Sequence, residues 1–156
     1  MEKQIYGVGF KSKLTCLEGV GVLIAVCVSY TVISNRALEV YCDNQGTVDI
    51  SRKGYSSVCP YSYTVIKAAH DVSFAFNCQL QVTKIRRCTG KGAVLADRLS
   101  KADFSSLKSD MPKKQEDPAF IPRTLLKWLR DPFPDMDLGK AIINEMSEYT
   151  NVILPE

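Results

Sequence analysis

Three carboxylates sit where a charge is costly. Glu18 lies early in the greasy stretch "LTCLEGVGVLIAV", Asp43 ends the apolar run "LEVYC", and Asp97 is embedded in "AVLADRLS" among Val94, Leu95, Ala96 and Leu99. Charges among apolar neighbours cost free energy unless they are paired or coordinated. Coordination here means a hard cation: Mg²⁺ takes oxygen ligands, keeps several waters and shares substrate phosphates. Two such ions about 4 Å apart stabilise the attacking and leaving oxygens of a phosphodiester displacement. Each residue also has a plain structural reading. Glu18 can cap a helix, Asp43 can form a turn with Asn44, Gln45 and Gly46, and Asp97 can pair with Arg98 or Lys101.

A shared site requires elements that bring the three together. Thr15 precedes Glu18 by three residues, the spacing of a capping box, and predicts a helix over roughly 16–33. Ahead of it, "QIYGVGFKSK" alternates apolar and polar residues as a short strand or hairpin arm would. "ALEVYC" (37–42) reads as a buried strand stopped by the turn signal Asp-Asn-Gln-Gly, and "GTVDISRKGYSSVCPYS" as mixed structure with turns near Gly54 and Pro60. Helical spacing returns over 63–77, strand alternation over 78–86, and a helical face of Val94, Leu95, Leu99 and Phe104 over 92–107. Strands alternating with helices predict an α/β fold with a mixed or parallel sheet, whose strand ends and adjoining helix termini converge on one edge. Residues 108–156 begin with a Pro- and charge-rich linker. Two short helices follow, "RTLLKWLR" opened by Pro122 and "DLGKAIINEMSEY" with Ile142, Ile143 and Met146 on one face. They are too short for a core of their own, so they dock on the main domain or bind a partner.

Composition narrows the function classes. At 156 residues, 46% hydrophobic and 24% charged, the chain is an ordinary globular length with a real core. Residues 1–101 carry thirteen Lys and Arg against seven Asp and Glu, whereas 102–156 carry seven against ten, an asymmetry that favours a polyanion facing the larger part. Six scattered cysteines without a C-x-x-C pair read as reduced, buried thiols of an intracellular protein, cytoplasmic or nuclear. The single histidine, His70, builds no metal site, and reads as a core or surface residue. Gly19 to Asn35 is free of charge for 17 residues, close to the lower limit for a bilayer span. Its Gly, Ser, Thr and Asn content favours a buried helix and no membrane partner, with a membrane-anchored protein as the reading from another class.

"LTCLEGVGVLIAV", "LEVYCDNQGTVDISRKGYS" and "GKGAVLADRLSKADF", in that order, resemble the ribonuclease H domain of retroelement reverse transcriptases, especially of DIRS-type tyrosine-recombinase elements. The pattern is a Leu-Glu on the first helix, a strand ending in Asp-Asn-Gln, and a late Ala-Asp-x-Leu-Ser helix. "FIPRTLLKWL" is similar to what trails that domain, and the resemblance covers about residues 5–130. It implies a ribonuclease H-like mixed sheet flanked by helices over residues 1–107, N-terminally incomplete, with residues 108–156 as linker and helical tail. Glu18, Asp43 and Asp97 then fall on three of four metal-binding acids, and Asn44 and Gln45 where the substrate backbone is contacted. Mg²⁺ (or Mn²⁺) is the implied cofactor, an RNA–DNA hybrid and the reverse transcriptase domain of the same polyprotein the implied partners. The implied activity, in retroelement replication, is two-metal hydrolysis of the RNA strand of the hybrid.

The chain departs from that pattern in two places. Residues 1–17 contain Glu2 as their only acid, so the Asp of an opening strand is missing and the isolated chain is expected to bind hybrid with little or no cleavage. Where many members carry a His-Pro-Gly-like loop, this chain has Arg86-Arg87-Cys88-Thr89-Gly90, and a guanidinium does not shuttle protons. Arg86, Arg87 and Lys91 belong instead to a basic cluster over 84–101 suited to phosphate contacts on a hybrid read by shape and 2′-hydroxyls. The alternative function is a catalytically silent nucleic-acid-binding or scaffolding module of a reverse transcriptase.

Overall fold

The computed structural model describes residues 10–54, 59–86, 90, 93, 94, 96 and 121–150. Helix α1 (Phe10–Val28) is followed by one turn of helix, α2 (Tyr30–Ile33), and then by strand β1 (Ala37–Cys42). Helices α3 (Gln45–Lys53) and α4 (Pro60–Ala75) carry the chain to β2 (Gln79–Lys84), and α5 (Arg123–Arg130) and α6 (Leu138–Thr150) complete the order. β1 and β2 pair in parallel, in register from Ala37 opposite Gln79 to Cys42 opposite Lys84. The fold is thus α/β, as the alternating pattern predicts, with a two-stranded sheet among the described residues.

Two asparagines hold that register. Asn35 and Asn77 each stand two residues before a strand in the left-handed region (φ 58° and 51°), which Asn tolerates better than most side chains. The Asn77 amide donates to the Asn35 carbonyl oxygen at 2.7 Å, the Asn35 backbone N–H bonds to Phe76 O, and that of Gln79 bonds to Arg36 O. Both strands therefore start level.

Period-two alternation turns Leu38, Val40, Cys42, Leu80 and Val82 toward the helices, and leaves Ala37, Glu39, Tyr41, Gln79 and Gln81 exposed. On the polar side Glu39 accepts hydrogen bonds from Tyr41 (2.9 Å) and Thr83 (2.8 Å). Against the apolar side lies one core built from Cys16, Leu23 and Val26 of α1 and Val65, Ala69 and Val72 of α4. Leu125 and Trp128 of α5 and Leu138, Ile142 and Met146 of α6 join the same cluster. Each such side chain contributes about 1.5–3 kcal/mol on burial, so the C-terminal helices dock on this domain. Helix α5 borrows its N-terminal partner from α6, since the Arg123 and Thr124 amides donate to the Glu145 carboxylate at 2.7 and 2.9 Å. Burial opposes ionisation of Glu145, but hydrogen bonds from Thr124 and Arg123 outweigh it and hold the carboxyl below its usual range.

Three local expectations change. The first helix starts at Phe10, not near 16, because nothing between Phe10 and Thr15 breaks a helix; residues 10–13 are helical and not part of a strand. Thr15 is therefore inside α1, where its hydroxyl reaches another element and caps nothing of its own. The expected single helix to 33 breaks at Ser29. The first half of the mixed stretch after the first strand is helix α3, begun by Asn44 and closed by Gly54 at φ 76°. Residues 4–9 and most of the helix expected over 92–107 lie outside the described residues. No described helix is long and apolar enough to cross a membrane. The five described cysteines, Cys16, Cys27, Cys42, Cys59 and Cys78, are buried and form no disulfide with one another, and burial pushes the thiols of Cys16 and Cys27 up to about 12.

Two predictions follow from this packing. Helices α4 and α6 touch at Gly139, where an added Cβ would lie 2.8 Å from Asp71 Cβ and 3.2 Å from Ala68 Cα. Gly139→Ala should therefore lose about 1–3 kcal/mol in urea unfolding, although Ala in an open helix gains about 1 kcal/mol over Gly; a gain would mean the helices are not in contact there. His70 of α4 is half-buried and shares a 2.8 Å hydrogen bond between Nε2 and Ser51 Oγ of α3. Burial lowers its pKa from 6.5, against a smaller raising effect of Asp71. The unfolded chain then binds the extra proton first, so this contribution to stability is full above about pH 6.5 and is lost as pH falls toward the lower folded-state value. His70→Gln should flatten the rise of unfolding midpoint with pH in that window.

Candidate functional site

The carboxyl end of β1 is where the sequence-predicted residues meet. Helix α1 runs back past this end, so Thr15 lies beside Asn44 and Glu18, one turn on, lies beside Cys42. Glu18 Oε2 accepts from the Cys42 thiol at 3.7 Å, and the sulfur is 3.8 Å from Asn44 O. Burial first, and then the negative charges of Glu18 and Asp43, push the Cys42 thiol up, against hydrogen bonding to Asn44 and Thr47. Glu18 and Asp43 are each half-buried, Glu18 against the Cys42 thiol and Asp43 as the residue that follows it in the chain.

Asn44 sets this arrangement. Its Oδ1 accepts from Thr47 N at 3.0 Å as the N-cap of α3 and from Thr15 Oγ1 at 3.2 Å. Thr47, fully buried, donates its hydroxyl to the carbonyl oxygen of Thr15 at 3.1 Å. An N-cap of this kind contributes about 1 kcal/mol, and here it also clamps two elements together. Gly46 is required at the contact, since a Cβ there would lie 2.6 Å from Thr15 Oγ1. Gln45, exposed, donates to Asp49 at 2.9 Å one turn along α3.

Cations border the acids. Lys84, opposite Cys42 in the sheet, donates to the backbone carbonyl of Asp43, and Arg86 is exposed two residues beyond. Asp97, Arg87 and Lys91 lie outside the described residues, so the edge is described with Glu18, Asp43, Asn44, Gln45 and Arg86. Among the described residues no three His, Cys, Asp or Glu side chains are grouped to hold a metal ion. Glu18 and Asp43 nevertheless supply the hard oxygen donors that Mg²⁺ takes, on the edge where α/β sheets bind ligands. Cys42, Thr15 and Thr47 are not visible in the sequence as site residues. The one signal for Cys42 is its parity with Leu38 and Val40, which turns it toward α1 and Glu18.

A cavity of about 340 Å³ lies elsewhere, between α4 and the start of α6, and its walls include Tyr63, Lys67, Asp71, Asp135 and Asp137. None of the sequence-predicted site residues lines it. The described part is an α/β unit with a parallel strand pair and an acidic carboxyl edge. Comparison of the chain with protein-family models, curated proteins and solved structures gives no match.

Gly46→Ala should separate α3 from α1 and cost about 1–3 kcal/mol in urea unfolding. Adding Thr15→Ala should recover part of that loss by removing the atom in the way. Equal losses for the single and double variants would mean the clash is elsewhere.

Proposed function

We propose that the chain is a ribonuclease H-like module of a retroelement reverse transcriptase, acting on the RNA strand of RNA–DNA hybrids by two-metal hydrolysis. The observation that carries the reading is the Glu18 carboxylate of α1 lying against Cys42, the last residue of β1, where the strand runs into Asp43, Asn44 and Gln45. Glu18, Asp43 and Asp97 would hold Mg²⁺ or Mn²⁺. When bound, the two ions supply charge stabilisation for the attacking and leaving oxygens. The chain's own residues do the rest. The Asn44 clamp fixes the acid-bearing edge. Asn44 and Gln45 at the start of α3 face the substrate backbone, and Arg86, Arg87 and Lys91 contact phosphates without reading sequence.

A second reading, a catalytically silent hybrid-binding or scaffolding module, is favoured by what surrounds the two acids. Glu18 already accepts from Cys42, and Lys84 sits on the carbonyl of Asp43.

Incubation with end-labelled RNA–DNA hybrid and Mg²⁺ or Mn²⁺ separates the two. The expected result is salt-sensitive binding with slow cutting of the RNA strand, cutting that Asp43→Asn abolishes while binding persists. Binding without any cutting selects the silent module. Neither binding nor cutting contradicts both.

A further inference from the structure

We infer that the cleft between α4 and the start of α6 is a binding site for an organic cation carried on an apolar stem, the chemistry of an alkylammonium or alkylguanidinium group. The site stands apart from the carboxyl end of β1 and does not depend on the proposed function.

The cleft, of about 340 Å³, has the make-up of a small-molecule site, apolar walls with a few placed polar groups. Pro60 and Ala68 of α4 face Pro134 and Met136 of the loop before α6, and Tyr63 adds an aromatic ring. The charged lining is Asp71, Asp135 and Asp137 against Lys67. Lys67 is ion-paired with Asp71 one turn along α4, so the surplus negative charge is that of Asp135 and Asp137 on the loop side. Hydrogen bonding to Asp71 raises the Lys67 pKa against partial burial, and the charges of Asp71 and Asp137 add to it. The cleft thus already favours a cation of the protein's own. Its loop wall is tied down on three sides. Thr64 Oγ1 donates to the Pro134 carbonyl oxygen at 2.6 Å, Trp128 Nε1 to that of Phe133 at 3.0 Å, and Asp137 Oδ1 accepts from Lys140 N at 3.1 Å as it caps α6. Binding therefore orders little that is not already ordered. Among the described residues no three metal-type ligands are grouped, and a bare ion would leave the apolar wall and the ring unused. A cation on a methylene stem uses both: the stem lies along apolar surface while the head meets the carboxylates, and aromatic rings attract cations to their faces.

Charge and shape can be separated with two probes. Amide-resolved nuclear magnetic resonance titrations of the full chain compare n-butylguanidinium with n-butylurea, its neutral counterpart of nearly the same shape. The expected result is saturable shifts at Tyr63, Lys67, Asp71 and Asp135 to Gly139 with the cation, and weaker binding of the urea. Asp135→Asn and Asp137→Asn should each weaken the cation by about two- to five-fold, the loss of one exposed ion pair. Neither should lower the thermal midpoint much, because Asp135 is exposed and Asn caps a helix about as well as Asp. Spermidine and a capped peptide with one arginine between alanines then identify the source by competition. Displacement at lower concentration by the peptide points to a basic segment of a partner protein, and by spermidine to a free polyamine. Equal binding of n-butylurea and n-butylguanidinium, or cation binding unchanged in the Asp135→Asn, Asp137→Asn double variant, would overturn the inference and leave an apolar crevice. Shifts that do not saturate, or that fall outside the cleft, would overturn it as well.

Discussion

The side-chain oxygen of Asn44 is the constraint on which the rest of the described edge depends. By accepting from Thr47 N and Thr15 Oγ1 together it starts α3 and locks α1 against the end of β1. Once Thr15 is fixed there, helical geometry leaves no choice for Glu18, which lies three residues on and about one turn along the same face. It must lie beside the last residue of the strand. The close approach is possible because position 46 has no side chain, and it is sealed by the buried hydroxyl of Thr47. At the opposite end of the sheet the paired left-handed asparagines do the corresponding work, so both ends of β1 are pinned by Asn side chains.

This frame explains why the acids tolerate their surroundings. Glu18 and Asp43 each bring a charge to the half-buried end of the strand, and two features reduce the cost. Cys42, kept protonated by burial and by those same charges, donates to Glu18. Lys84, brought level with Cys42 by the parallel register, places its ammonium at the Asp43 carbonyl. In the proposed function a divalent cation would take over that compensation, and Arg86 would extend the positive rim toward phosphates. The helical face of the sheet is covered by α1 and α4, so the carboxyl edge is left as the place where several elements end together.

Much of this was legible in the sequence, and the failures have physical causes. "ALEVYC" is β-branched and aromatic, bounded by turn residues, and forms the strand over those same residues, though with Ala37, Glu39 and Tyr41 on an exposed face and not buried as expected. The helix at Pro60–Ala75, the second strand and both C-terminal helices follow their periodicity in the same way, since core-facing residues recur at the spacing each element needs. Thr15 and Glu18 mimic a capping box, but local spacing says nothing about whether the chain is already helical upstream. Asp-Asn-Gln-Gly reads as a turn because the same residues that make turns also start helices; Asn44 does the second, and the closing Gly54 was a signal for it. The approach of Glu18 to the end of the strand was legible as a hypothesis. The contact of the Cys42 thiol with Glu18 was not, because a thiol in an apolar strand looks like any small core residue until its neighbour on the helix is known.

Paramagnetic broadening by Mn²⁺ in amide-resolved nuclear magnetic resonance spectra tests the central claim most directly, because it maps bound cation without requiring catalysis. At low Mn²⁺ the account predicts that signals of Glu18, Cys42 to Gln45 and Lys84 disappear first, while those of α5 and α6 persist. Broadening centred instead on Asp71, Asp135 and Asp137, or spread evenly over the surface acids, would contradict a cation site at the carboxyl edge of β1.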